Sequence, residues 1–467
     1  MTKKRLKLIA WILVGIFAGM TIYYLIRVKK INTDYAALYS PKGEIALRKF
    51  PFPYEAALTI SSDIDKTTTV EEFLDIQEFL NTKKSTKMGE GLGLEIGNSF
   101  FMFLPGSHQD FGYFSQRPID RIVIKKFIQA GYIDSIHSWG DGYKSRADAI
   151  QGIDELASNG LKLTVWINHA KANSDLGSWF PKLYLGDNKE SIFYHSDITI
   201  SYGIKYVWLG SSTWIIGQAT PIRPNTFLGS YDSKHSLKAI INISKALSKH
   251  FMGILGIKKS RYAMHASNDL VKPVRLEDGR RVYQFMRYDH HFDGIGLGTT
   301  SKTMAYNLSE RVFRQLKKVK GYAILYTHMG KNSDCPQVIA EETQRSLRRL
   351  AHEYQDGNIY VTTQAKLLKY YLNHKYLNWS YKIEADEARI EIESVDDAVF
   401  GKSIPAVEDL QGITFYVPAG INIHIFIGDQ EIIGIKKNIV DETGRESVSI
   451  PITYLTYPDI SIKEILR

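Results

Sequence analysis

The chain has 467 residues, 44% hydrophobic and 23% charged, which excludes disorder over most of its length and allows a large core in more than one domain. Its formal net charge of +9 comes largely from one end: residues 1–30 hold seven Lys or Arg and no acid, and the remainder carries 52 basic against 50 acidic residues, a net of +2. That distribution argues against an extended phosphate-binding surface, so no nucleic-acid partner is expected.

The first predicted element is a membrane helix. Leu8–Ile26 is free of charge, and its 19 residues would reach roughly 28 Å as a helix, close to the thickness of a bilayer core. Trp11, Tyr23 and Tyr24 lie near its ends, where interfacial aromatics are expected. A cleavable signal peptide is the alternative, but the run is long for one, and Lys29 and Lys30 follow it in place of a small-residue cleavage site. Lys3, Lys4, Arg5 and Lys7 precede the helix. They outnumber the cations after it, which puts the N-terminus in the cytoplasm and the folded part outside the cytoplasm, in a single-pass cell-membrane protein. Residues 1–30 are thus read as the anchor and 31–53 as a stalk.

From residue 54 strand-like and helix-like segments alternate. Strands are predicted at Ala56–Ile60, Leu92–Ile96, Ser99–Leu104, Tyr132–Ile136, Leu163–Ile167, Tyr206–Leu209, Tyr322–Tyr326 and Ile359–Val361. Helices are predicted at Val70–Leu80, Asp120–Ala130, Ala147–Ser158, Leu237–Leu247, Ser309–Lys318, Ile339–Tyr354 and Thr363–Tyr371. Such alternation predicts parallel strands with helical crossovers. Asn81–Gly91, Lys171–Lys205 and Leu255–Thr303 interrupt it as long loops or inserted excursions. Near residue 380 the helical period gives way to period-two alternation, as in Ile421, Ile423, Ile425 and Ile427, so 381–467 reads as a small all-β, sandwich-like domain. Cys335 is the only cysteine, which excludes an intramolecular disulfide and a Cys-rich zinc site.

Ionisable residues recur just past strand ends: Asp63 and Asp65 after AALTI, His137 after YIDSI, His169 after LTVWI, and His328 after YAILY. In barrels of parallel strands that rim carries the active site. Asp63 and Asp65 can divide the roles of general base and metal ligand, and the ordinary alternative is capping of the following helix. His137 and Asp141, four residues apart in a Gly-containing turn, can reach one cation. Trp139 between them is either a core aromatic or a platform under a sugar ring. His328 is either a satisfied structural histidine or a general acid. His169 is a weaker candidate for substrate contact, and His290-His291 lie in a long loop.

In this order the residues resemble the polysaccharide deacetylase (NodB-homology) family. Its Asp-x-Asp motif looks like Asp63-Ile64-Asp65, its His-Ser/Thr-x-x-His motif like His137-Ser138-Trp139-Gly140-Asp141, and its Leu-x-His motif like Leu325-Tyr326-Thr327-His328, offset by one residue. The resemblance covers residues 54–372 in layout and rests on about a dozen of them. It implies a distorted (β/α) barrel over 54–380, with Asp63 as base, His328 as acid, and Asp65, His137 and Asp141 around a divalent metal ion. Asp141 stands where the family has histidine. That makes the set harder and more anionic, so the metal is zinc or a harder divalent cation. No clear counterpart of the family's Arg-Pro motif is present; Arg223-Pro224 is a poor candidate. The implied function is a membrane-anchored, metal-dependent hydrolase that removes acetyl groups from a surface or extracellular polysaccharide. Its partners would be the polysaccharide, a membrane and the machinery of polysaccharide biosynthesis or export. The alternatives are a glycoside hydrolase on a related barrel and a non-catalytic glycan-binding protein of polysaccharide assembly.

Overall fold

The computed structural model describes residues 3–39, 43–64, 67–104, 111–140, 144–168, 186–257, 259–289, 300–331 and 338–460, with side chains left out at 3–14, 16, 17 and 259–261. The chain opens with helix α1 (Lys3–Tyr39) and a two-residue strand β1 (Ala46–Leu47). An α/β unit follows: β2 (Ala56–Asp63), α2 (Val70–Asn81), β3 (Gly97–Phe101), α3 (Pro118–Gln129), β4 (Ile133–Ser138), α4 (Arg146–Ser158), β5 (Val165–Asn168) and β6 (Tyr206–Leu209). It continues with α5 (Ser236–Ile254), β7 (Val271–Arg275), β8 (Arg281–Phe285), β9 (Arg287–Tyr288), α6 (Glu310–Lys318), β10 (Tyr322–Thr327), α7 (Glu341–Gln355), β11 (Ile359–Val361) and α8 (Gln364–Tyr376).

The main sheet runs β7-β8-β6-β5-β4-β3-β2-β10, with β11 beside the start of β2. Its neighbours are parallel except for the β7–β8 pair. The strands alternate between two buried faces, so they read as nearly continuous apolar runs. On the outer face Leu58, Ile60, Ala323 and Leu325 pack with Val312, Leu347 and Leu350, while Phe100 and Trp166 pack with Phe127 and Leu156. On the inner face Ala57, Val165, Ile167 and Ile324 pack on Leu367, Leu368 and Tyr371, so α8 fills one end of the concavity.

The expected (β/α) barrel is corrected here. A barrel needs its first and last strands paired and staggered. Among the described residues this sheet stays open, ending in the antiparallel strand β7 on one side and β10 on the other. Only isolated bridges, Gln218 with Tyr322 and Thr300 with His328, and the short pairing of β9 with Ser212–Thr213 lie toward the β10 edge. The fold is mixed α/β with several sheets. Part of the excursion expected at Leu255–Thr303 is the β7–β8 hairpin, which supplies that open edge. Leu92–Ile96, expected as a strand, instead spends its amides on the end of α2: Leu92 N donates to Phe79 O (2.7 Å) and Leu94 N to Leu80 O (3.0 Å).

The membrane anchor is corrected as well. Among the described residues no helix is long and apolar enough to cross a membrane, which removes the single-pass localisation; much of the Leu8–Ile26 run lies outside the described side chains. The C-terminal part of α1 lies against the α/β unit. The Tyr24 hydroxyl meets His250 Nε2 at 3.2 Å, and the Asn32 amide exchanges two hydrogen bonds with the Ile222 backbone (3.0 and 2.7 Å).

After α8 the chain becomes all-β. Strands β12 (Leu377–Glu384), β13 (Glu387–Asp397), β14 (Gly401–Ser403), β15 (Thr414–Val417), β16 (Asn422–Ile427), β17 (Gln430–Glu431), β18 (Lys436–Asn438) and β19 (Glu446–Ser449) form two sheets. The sheets share a core of Ile390, Ile392, Ile425, Phe415 and Val448. β1 joins the second sheet by pairing antiparallel with β15, so the segment ahead of the α/β unit is tied to the C-terminal strands.

Candidate active site

Period two places the site. Ala57 faces the inner core, so Asp63, six residues along β2, faces the same way. On β10 the inner row is Tyr322, Ile324 and Tyr326, with His328 next. The parallel register runs from Ala57 opposite Tyr322 to Ser62 opposite Thr327, and one more step brings Asp63 beside His328. β4 sits one strand beyond β3 and brings His137 to the same end.

Asp63 is buried, and four side chains converge on it. Ser99 Oγ on β3 donates to Asp63 Oδ1 at 2.6 Å, and Arg287 Nη2 on β9 lies 4.0 Å from the same oxygen. His137 Nε2 lies 3.4 Å and His328 Nε2 3.8 Å from Oδ2. Burial pushes the carboxyl pKa up, but His137, Arg287 and His328 together outweigh it and hold the group well below the usual carboxylate range, so Asp63 is ionised. His137 lies with its ring centroid 4.0 Å from that of Phe101, and its side chain is 1% exposed. The His328 side chain is 11% exposed, which makes it the imidazole nearer to solvent.

Arg287 is the functional candidate that motif reading missed. It is completely buried, with its guanidinium carbon 4.3 Å from the Trp208 ring centroid and 4.5 Å from that of Tyr326. None of its three guanidinium nitrogens has a hydrogen-bond partner among the described residues. Burial lowers its pKa, and Asp63 opposes that shift. The signal was a lone cation inside the apolar run VYQFMRY, which is unusual enough to be noticed.

The other expected site residues divide. Trp139 lies in the core: its indole nitrogen donates to Thr199 Oγ1 at 3.1 Å, and its ring meets Trp166 edge-on at 5.3 Å. Asp65, Asp141 and His169 lie outside the described residues, as do His290 and His291. The residue capping α2 is Thr69, whose hydroxyl accepts from Glu72 N at 3.1 Å. Among the described residues no group of three or more His, Cys, Asp or Glu side chains is arranged to hold a metal ion. Asp63 Oδ2, however, has no hydrogen-bond partner among the described residues, so a carboxylate oxygen and the imidazole nearest to it are both suited to a divalent cation. No family model matches this chain, and neither a curated protein nor a solved structure was found to be similar to it.

Proposed function

We propose that this chain is a hydrolase that removes acetyl groups from a polysaccharide. The observation that carries the reading is the buried, ionised Asp63 with two imidazoles on one oxygen, assembled from the ends of separate parallel strands. Asp63 accepts a proton as water adds to the acetyl carbonyl carbon. When the bond from that carbon to the sugar nitrogen or oxygen breaks, His328 gives its proton to the leaving atom, and acetate and the free sugar amine or hydroxyl result. His328, being nearer to solvent, is placed to meet the sugar side of the substrate. His137, Arg287 and His328 together favour the charged form of Asp63, and Ser99 fixes the rotation of the carboxylate through its 2.6 Å hydrogen bond.

A carboxylate held below its usual range by neighbouring cations is a weakened base, so a water that is itself acidified would suit it better. His137, with Asp65 and Asp141 from the sequence expectation, would hold a divalent cation, and such an ion would acidify water and polarise the acetyl carbonyl.

The test is acetate release by the purified full chain from an N-acetylglucosamine oligosaccharide and from an O-acetylated sugar, with divalent metal supplied. His328→Gln should lower turnover roughly 10²–10⁴-fold while the far-ultraviolet circular dichroism stays unchanged. Asp63→Asn should do the same if it remains folded. Turnover that is indifferent to both changes, or no acetate release from either substrate, would overturn the proposal.

A further inference from the structure

A groove at the other end of the main sheet does not depend on how Asp63 is read. One face of α1, with Arg27, Lys30, Ile31, Asp34 and Leu38 at helical spacing, faces the end of α8 and the start of β7 across a space of about 380 Å³. Contacts beyond the groove hold that face in place: Asn32 exchanges hydrogen bonds with the Ile222 backbone, and Lys49 Nζ donates to the Tyr35 hydroxyl at 3.3 Å. Tyr371 of α8 lines the groove and packs in the same cluster as Ala57. Asp63 lies six residues further along β2, roughly 20 Å away at the rise of a strand, so the groove is separate from the candidate active site.

The charges of the groove are mixed, and they bound what it can hold. Lys30 pairs with Asp34 at 3.5 Å, and Lys272 pairs with Asp269 at 3.3 Å. Arg27 and Lys375 line the groove as well, and neither makes an ion pair among the described residues. The Lys375 ammonium lies 5.8 Å from the Tyr371 ring centroid instead. Four cations against two carboxylates leave a net of +2, which suits a ligand with one or two negative charges. A nucleoside triphosphate carries more and would be repelled by Asp34 and Asp269. Each carboxylate has more acceptor sites than its lysine uses, so both can accept from ligand hydroxyls. Tyr35 and Tyr39, half-buried and with ring centroids 4.9 Å apart, add apolar faces to the lining. A weakly charged anion with several hydroxyls and an apolar ring face is an acidic sugar, and the volume is at the small end for a ligand pocket. We infer that this groove binds one acidic saccharide unit, bearing a carboxylate or a phosphate, with its charge on Arg27 and Lys375 and its hydroxyls on Asp34 and Asp269.

The test is calorimetric titration of the purified full chain, which reads binding and not acetate release, so its failure leaves the reading of Asp63 untouched. The probes are methyl glucuronide, glucose 6-phosphate, neutral methyl glucoside and inorganic phosphate. At least one of the two acidic sugars should bind, more tightly than the neutral sugar and than phosphate alone, and raised salt should weaken the binding. Comparing the two acidic sugars tells a carboxylate site from a phosphate site. The variant Arg27→Gln with Lys375→Gln should weaken binding about tenfold and unfold at an unchanged urea concentration, because neither side chain holds an ion pair in the fold. Three outcomes would overturn the inference. In the first, neither acidic sugar binds. In the second, the double variant binds as well as the wild type, which assigns binding to another part of the chain. In the third, the neutral sugar or phosphate alone binds as tightly as the acidic sugars, which means that the groove does not read charge and ring together.

Discussion

Arg287 and Asp63 form a fully buried charge pair, and its energetics can be tested by removing each in turn. At 4.0 Å and an effective dielectric of about 20, two unit charges attract by about 4 kcal/mol. Against this stands the cost of burying a guanidinium that has no hydrogen-bond partner among the described residues. Replacing Asp63 with Asn leaves the cation buried and uncompensated, which should cost about 3–5 kcal/mol. Replacing Arg287 with Met fills the slot between Trp208 and Tyr326 with a flexible apolar chain and leaves Asp63 its contacts with His137, His328 and Ser99; the cost should be within about 1.5 kcal/mol. The double variant should then be more stable than Asp63→Asn alone, with a coupling of about 1–3 kcal/mol. Urea unfolding followed by tryptophan fluorescence reads all four corners of the cycle, provided that the dependence on urea stays constant. If Asp63→Asn unfolds at the wild-type urea concentration, or if the two changes simply add, the charges are not compensating each other and this account of the site is wrong.

Other expectations are simpler. Asp134, buried under the start of α8 and accepting from Ala365 N at 2.6 Å, is pushed up by burial from 3.8 to about 6. Its neutral form is favoured in the folded state, so its contribution to stability is present below about pH 3.8 and fades as pH rises through about 6, a loss of about 3 kcal/mol that Asp134→Asn should remove from the pH profile of urea unfolding. Arg48 is buried, donates to the carbonyls of Phe50, Pro51, Pro53 and Tyr54 and pairs with Asp441 at 3.2 Å, so Arg48→Met should cost about 3–5 kcal/mol and lower the thermal midpoint. A Cβ on Gly330 would come within 2.8 Å of the Thr67 backbone, so Gly330→Ala should shift the turn that carries His328, reducing acetate release more than the cost in stability, about 1–3 kcal/mol, would explain.

Much of the α/β layout was legible because buried parallel strands leave a strong mark, as AALTI, LTVWI and YAILY do; VYQF, inside the stretch expected as a loop or excursion, was not read as the strand it forms. Whether the sheet closed was not legible. Period and spacing give the order of strand and helix, but closure depends on stagger and on which edges meet, and neither leaves a local pattern. β1 was invisible for a related reason, since two residues carry no periodicity and its partner β15 lies far along the chain. The strand-end rule found Asp63, His137 and His328 because a polar residue after an apolar run is conspicuous. It could not find Arg287, which reaches Asp63 from a strand outside the main sheet's order.

The inner face of β2 gives a further argument for where function sits. At one end it is apolar and covered by α8, and at the other it turns into Thr59, Ser61 and Asp63. The Thr59 and Ser61 hydroxyls and Asp63 Oδ2 are all buried without a hydrogen-bond partner among the described residues, and so are the nitrogens of Arg287. Native interiors satisfy nearly all of their polar groups, and each orphan costs about 1–3 kcal/mol. One orphan can be an accident of packing. A row of them along one strand, ending at an ionised carboxylate with two imidazoles, is a concentrated cost that folding alone gives no reason to keep. Small side chains would fill those positions with less penalty, as Ala57 does at the opposite end. The polar half of the inner face is therefore the part of β2 that stability explains least, and Asp63 lies at its end.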